Sequence, residues 1–179
     1  MPPPIRYLAD ANVDPVTDRQ IRDLLTTCFT KAEDEVFKHR RYFIEPYPHR
    51  WIIRDPDPAG PIIAHIGVHD RTMRVGSGTR RFAGIAEVCV HPGHRSRGHV
   101  RSMLAVIHPW LAVHGFPFSI LFGDPNVYRS SGYRVIDTIR MNRDPADPDS
   151  PRKTVTAMIR PLTDEPWPEE SVYIPGNPF

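Results

Sequence analysis

The stretch "VCVHPGHRSRGHVRSML", residues 88 to 104, decides how this chain is organised. An apolar run stops at His91-Pro92, where proline removes the donor that sheet pairing needs. A cationic loop with Arg95, Arg97, Gly98 and Arg101 follows, and Val100, Met103, Leu104, Ile107 and Leu111 then recur at helical spacing. A strand that stops, a bare backbone at Gly98 and a helix start with unpaired N–H groups make a cradle for an anion. The loop has neither the G-x-x-x-x-G-K-[ST] of a nucleotide loop nor the three glycines of a dinucleotide fingerprint. On this stretch alone, a phosphate site and a solvated arginine loop stand level.

Upstream, "PIRYL" reads as a strand. "DPVTDRQIRDLLTTCFT" reads as a helix with Ile21, Leu24, Leu25 and Cys28 on one face and Asp14 and Thr17 placed to cap it. "KAEDEVFKHRRYF" reads as a second, shorter helix whose Glu33, Asp34 and Glu35 suit the positive end of a helix dipole. "HRWIIRD" is a strand, and "GPIIAHIGVHDRTMRV" turns at "GSGT" into "RRFAGIAEVCV" as a long hairpin. Downstream, Pro109 removes the bond to the Ala105 carbonyl and predicts a kink in the helix. "FPFSILFG" is a buried strand, "DPNVYRSSG" a short helix or turn, and "YRVID" and "KTVTAMIRPL" are two closing strands. The order β-α-α-β-β-β-α-β-α-β-β predicts an α+β fold with helices on both faces of a sheet.

The chain has 179 residues and no internal repeat or linker, which predicts one domain, 1–179, around one core. With 40% apolar and 25% charged residues it reads as a globular protein, and no run approaches the ~18 apolar residues of a membrane helix. "MPPPIRYLAD" lacks the charged-then-apolar layout of a secretion signal, which predicts a cytoplasmic chain with Cys28 and Cys89 as buried thiols. Two cysteines outside a C-x-x-C pair exclude a disulfide framework and a four-thiolate zinc site. A formal net charge of +2 and the lack of an aromatic platform argue against nucleic acid as a partner. The spacing of His91, His94 and His99 invites a zinc reading, but the arginines around it oppose a dication, so no metal is expected. The 21 prolines fall mostly in connections such as "RDPDPAGP" and "RDPADPDSP", as loop punctuation.

Placement adds to the loop. About two dozen residues beyond it comes "LFGDPNVYRSSGYRVI". "RSRGHV" and "YRSSGY" together resemble the signatures of the GNAT superfamily of acyl-CoA-dependent N-acyltransferases, [QR]-x-x-G-x-[GA] after a strand and Y-x-x-x-G-[FY] further on. The first matches from Arg95 to Gly98 and the second from Tyr128 to Tyr133, while Val100 stands where glycine or alanine is usual. The resemblance implies a mixed, mostly antiparallel central sheet. "PIIAHIGV", the long hairpin and "WPEESVYIPGNPF" also look like the aminoglycoside 2′-N-acetyltransferase branch, a looser likeness of pattern.

What the resemblance implies is a transferase using acetyl-CoA as co-substrate. The backbone of Val88, Cys89 and Val90 would pair with the pantetheine arm, and Arg95, Ser96, Arg97, Gly98, His99, Val100 and Arg101 would hold the pyrophosphate, with Asn126 also on the cofactor side. Tyr128 would be the general acid that protonates the departing thiolate, a role suited to a phenol of pKa about 10. An attacking amine must lose a proton, and Glu87 near the strand centre is the candidate base, with a structural ion pair as its alternative and His65 and His69 as runners-up. Glu33, Asp34, Glu35 and the tail 163–179 to Phe179 would border the acceptor and attract a cationic amino sugar such as a kasugamycin-like antibiotic, making the protein a resistance enzyme. A peptide N-terminus, lysine or polyamine is the other acceptor class, a CoA-binding regulatory module the non-catalytic alternative, and a homodimer is compatible with either.

Overall fold

The computed structural model describes residues 3–144 and 146–179. Met1, Pro2 and Pro145 lie outside the described residues, and with them part of the stretch read for a leader and of the proline loop at 143–151. The strands are β1 (Ile5–Ala9), β2 (His49–Arg54), β3 (Ile62–Val75), β4 (Gly78–Val90), β5 (Phe118–Leu121), β6 (Arg134–Asn142), β7 (Arg152–Pro161) and β8 (Val172–Tyr173). The helices are α1 (Pro15–Cys28), α2 (His99–Val113) and α3 (Pro125–Tyr128). The chain forms two compact units, residues 1–69 with 85–107 and residues 70–84 with 108–179.

In the first unit β1 pairs antiparallel with β2 from Ile5↔Ile53 to Ala9↔His49, and β2 pairs antiparallel with β3. Asp14 caps α1 by accepting from Val16 N at 2.8 Å and Thr17 N at 2.9 Å, and Pro15 occupies the first turn, where its missing N–H costs nothing. Ile21, Leu24 and Leu25 then meet Phe37, Ile52, Ile62 and Cys89 in a core. Burying each such aliphatic side chain contributes about 1.5–3 kcal/mol. The second helix expected from "KAEDEVFKHRRYF" is instead a 3-10 segment, Ala32–Lys38. Phe37 is its one buried residue, so no apolar stripe rewards an α-helix there.

In the second unit β5 runs parallel to β4 at Ala83↔Ser119, and β7 lies between β5 and β6, antiparallel to both. β8, which the sequence did not reveal, pairs with β6 on one side and with Arg74 and Val75 of β3 on the other. Since β3 joins β4 through the turn at Gly76 and Ser77, these strands close on themselves, and their interior holds Met73, Phe82, Phe118, Ile120, Ile139 and Ile159. Closure pairs Ile139 and Arg140 of β6 and Arg74 and Val75 of β3 through β8. α2 runs through Pro109 as one helix and buries Met103, Leu104, Ile107 and Leu111, the face its spacing predicts.

Candidate active site

Two backbone departures frame the stretch from β4 to α2. Glu87 has φ 41°, a left-handed conformation that costs a residue with a side chain about 1–2 kcal/mol. Its carbonyl accepts from His65 Nδ1 at 3.0 Å, and its Oε1 accepts from the Phe43 N–H at 3.0 Å. Beyond it, His91 N still donates to Ile63 O at 2.8 Å before Pro92 ends the pairing, as expected from the proline. The Val90 carbonyl accepts from Cys28 Sγ at 3.4 Å and from Arg95 Nε at 3.2 Å. A hydrogen bond with Cys89, against the effect of burial and helped by Arg95, draws the Cys28 thiol down to about 7.

The second departure is the loop. Ser96 (φ 61°) and Gly98 (φ 75°) are both left-handed, and α2 begins at the next residue, with Ser102 N donating to Gly98 O at 3.0 Å. A Cβ built on Gly98 meets nothing within 4 Å, so open space lies before the turn. Arg97 bends back to Gly93 O at 3.2 Å, Arg101 has no partner among the described residues, and His99 Nε2 is buried without one. Guanidinium groups, open space and free N–H groups at a helix start suit a diphosphate. His91 does not fit a metal set: its Nδ1 accepts the Gly93 N–H at 3.2 Å.

Around Glu87 lies a polar cluster that the sequence concealed. Arg50, the second residue of β2, is fully buried. Its guanidinium donates to Asp10 (Nε to Oδ1, 2.9 Å), to the Tyr47 hydroxyl at 3.0 Å and to the Arg41 carbonyl at 3.2 Å, and it reaches His65 Nε2 at 3.3 Å. Burial works to raise the Asp10 carboxyl, but hydrogen bonds from Arg41 and Arg50 outweigh it and hold it below the usual range. Burial raises the Glu87 carboxyl, against the opposing influence of the Tyr47 hydroxyl, the Phe43 N–H and Arg50. Its Oε2 is buried and has no hydrogen-bond partner among the described residues. Burial, with Arg50 beside it, pushes His65 down to about 3, and both of its ring nitrogens are engaged, so this runner-up for the base is a fixed neutral group. His69 is buried with its ring edge-on to Tyr47.

The three acidic residues expected at the acceptor are used unequally. Asp34 Oδ2 accepts the Lys31 N–H at 2.9 Å, Glu35 pairs with Lys38 at 2.7 Å, and Glu33 is exposed. A groove of about 560 Å³ is lined by Asp18, Arg19, Arg22, His39, Arg40, Arg41 and Tyr42, with Val13 and Pro15. Asp18 bridges Arg22 and Arg41, while the Arg40 Nε is buried without a partner. The groove is therefore cationic, a feature not read from the sequence although "HRRY" was its signal.

In the second unit Tyr128 ends α3, where Asp124 caps the helix by accepting the Asn126 N–H at 2.8 Å. A Cβ on Gly123 would lie 2.6 Å from the Tyr128 ring, so that glycine makes room for it. Gly132 is left-handed (φ 82°) and returns the chain to Tyr133, whose ring stands edge-on to Tyr128 at 6.0 Å. The Tyr133 hydroxyl meets Ser119 Oγ at 2.6 Å and His108 Nε2 at 3.0 Å. Phe179 packs over Gly84 and against Phe82 and Phe122, and Arg71 holds the same tail by donating to the Asn177 carbonyl at 2.6 Å.

A family model described as an acetyltransferase (GNAT) domain matches residues 8–136. No curated protein matches the sequence. Among solved structures, the chain is similar to a GNAT family N-acetyltransferase, YhbS, of Escherichia coli in complex with CoA. That likeness has a TM-score of 0.68 at 18% identity, over 96% of this chain and 89% of that one. A GNAT family acetyltransferase of Brucella melitensis in complex with acetyl-CoA gives 0.53 at 15% identity, over 73% and 83%. A chain of the NatC complex bound to Gag peptide and CoA gives 0.59 at 16% identity, over 89% and 99%.

Proposed function

The chain belongs to the GNAT acetyltransferases and is an acetyl-CoA-dependent N-acetyltransferase, and we propose that its acceptor is the primary amine of a small molecule. The Val88–Val90 backbone takes the pantetheine arm, and the loop from Arg95 to Arg101 takes the pyrophosphate. The amine nitrogen bonds to the acetyl carbon, its proton passes to Glu87, and the carbon–sulfur bond breaks. Tyr128 returns a proton to the CoA sulfur, leaving an N-acetylated amine and CoA. The observation that carries this reading is the left-handed loop at Ser96 and Gly98 running straight into α2, with open space before it.

Within that class the acceptor we propose first is an aminoglycoside-type amino sugar, drawn by exposed Glu33 and bordered by the tail to Phe179, with antibiotic resistance as the consequence. The arginine groove favours a second reading, an amine that also bears a phosphate or carboxylate. A thiol-release assay with acetyl-CoA across aminoglycosides, polyamines, peptides and paired amines such as glucosamine and its 6-phosphate separates them. Saturating acetyl-CoA should raise the melting temperature by about 5–10 °C, the effect of about 2.7 kcal/mol at a hundredfold excess over Kd. Tyr128→Phe should lower kcat at least tenfold and leave acetyl-CoA affinity alone. No thermal shift with acetyl-CoA removes the donor assignment, and unchanged turnover in the variant removes the acid.

A further inference from the structure

His65 is the least conspicuous member of the cluster around Glu87, and its bonding is fully determined. A carbonyl oxygen only accepts, so the 3.0 Å contact with Glu87 O puts the imidazole proton on Nδ1. Nε2 then carries the lone pair, and it faces Arg50 Nη1 at 3.3 Å, which only donates. A proton on Nε2 would confront a guanidinium where both side chains are fully buried, so the ring stays in one neutral tautomer. Arg50 is itself fixed by Asp10, the Tyr47 hydroxyl and the Arg41 carbonyl.

The chain Asp10, Arg50, His65 thus ends on the backbone of Glu87, at a residue whose left-handed φ of 41° interrupts regular strand geometry. A second hold, the Phe43 N–H, takes Glu87 Oε1. The carboxylate is clamped through its own carbonyl and through one oxygen, which leaves Oε2 as the oxygen with no partner among the described residues. The groups that face this carboxylate are Tyr47 and the Phe43 N–H from the segment before β2, Arg50 from β2, His65 from β3 and Cys89 along β4.

We propose that His65 and Arg50 are positioning residues for the acceptor reaction: His65 fixes the left-handed backbone of Glu87, and Arg50 holds His65 in the tautomer that does so. Together they hold the Glu87 carboxylate in place with Oε2 as its unpaired oxygen, set to take the proton of the amine. This rests on the reading of Glu87 as the base. It gives the buried arginine and the neutral histidine a role in turnover that is separate from donor binding.

The test compares three variants with Glu87→Gln, reading kcat and the pH profile of kcat/KM beside calorimetric acetyl-CoA affinity. His65→Leu, which can neither donate nor accept, should lower kcat about tenfold or more with acetyl-CoA Kd within twofold. His65→Gln, whose amide N–H can donate to the carbonyl while its oxygen accepts from Arg50, should restore kcat to within about threefold. Arg50→Gln removes a cation that favours the carboxylate, so the acid limb that Glu87→Gln abolishes should move to higher pH. Where Arg50→Gln does not fold, Arg50→Lys keeps the charge but not the fork and should lower kcat with the limb in place. Wild-type kcat in folded His65→Leu, or an Arg50→Gln limb that stays where it was, overturns the inference. Wild-type kcat in Glu87→Gln overturns the base assignment instead, which tells the two failures apart.

Discussion

Substituting Gly84 by alanine tests the docking of the tail through a single methyl group. The built Cβ lies 2.7 Å from Cδ2, 2.9 Å from Cε2 and 2.9 Å from Cγ of Phe179. Ordinary contact begins near 3.4 Å, so the ring must give way by at least about half an ångström across its whole near face. In doing so it leaves its neighbours Phe82 and Phe122, at 5.5 and 5.2 Å between ring centroids, and Arg71, 5.6 Å from the ring centroid. Overpacking of this kind costs about 1–3 kcal/mol, which lowers the melting temperature by roughly 2–12 °C in a chain of this size. Gly84 does not have a positive φ, so with the ring removed alanine should instead stabilise by about 0.4–1 kcal/mol through the unfolded chain. Chemical denaturation of Gly84→Ala, Phe179→Ala and the double variant therefore predicts that the Gly84→Ala effect changes sign between the two backgrounds. An equal loss in both backgrounds would refute the docking of Phe179 on that strand.

Gly98→Ala keeps the open space before the loop but forces alanine to φ 75°, so acetyl-CoA affinity by calorimetry should fall about tenfold, the equivalent of about 1.4 kcal/mol. Gly93→Ala, whose Cβ meets only the His91 ring at 3.5 Å and whose φ is not positive, should leave it unchanged; equal losses would argue against the left-handed requirement. Burial pushes both His65 and His108 down to about 3, against an ordinary value near 6.5. Between these values the unfolded chain binds protons that the folded chain does not, so stability is full above about pH 6.5 and is lost as pH falls. Each imidazole adds up to about 1.4 kcal/mol per pH unit, and the raised Glu87 carboxyl opposes them in the upper acid range. Urea midpoints should therefore drop from pH 7 to pH 5, and less steeply in His108→Gln; an unchanged slope in that variant would count against the neutral histidine.

The elements that were legible in the sequence carry their own local signals. Asp14 ahead of Ile21, Leu24 and Leu25 announced α1, and "GSGT" between two alternating runs announced the β3–β4 hairpin. The 3-10 segment at Ala32–Lys38 resembled a helix because three acids follow one another, but charge without an apolar stripe gives nothing to pack. β8 has two residues, too few for any alternation, and stands because its neighbours β3 and β6 supply the pairing. The loop proposed for the donor was readable because Gly98 and its arginines sit together in the chain. The cluster at Glu87 was not, since Asp10, the neighbours Tyr47 and Arg50, and His65 lie on separate stretches of the chain and an arginine within a strand ordinarily points to water. A left-handed glutamate has no signature of its own, because the φ of Glu87 is imposed by the bonds it makes to other segments.

The ring of strands in the second unit bears on how the chain is made. A ribosome delivers residues 70–84 early, yet their partners in that unit lie at 108–179. Until Val172 and Tyr173 emerge, Ile139 and Arg140 of β6 and Arg74 and Val75 of β3 lack their strand partner and are able to capture a neighbouring nascent chain. A strand of two residues is thus the closing clasp, and a product cut short before residue 172 would meet the cell as an aggregation template although nearly all of its core residues are present.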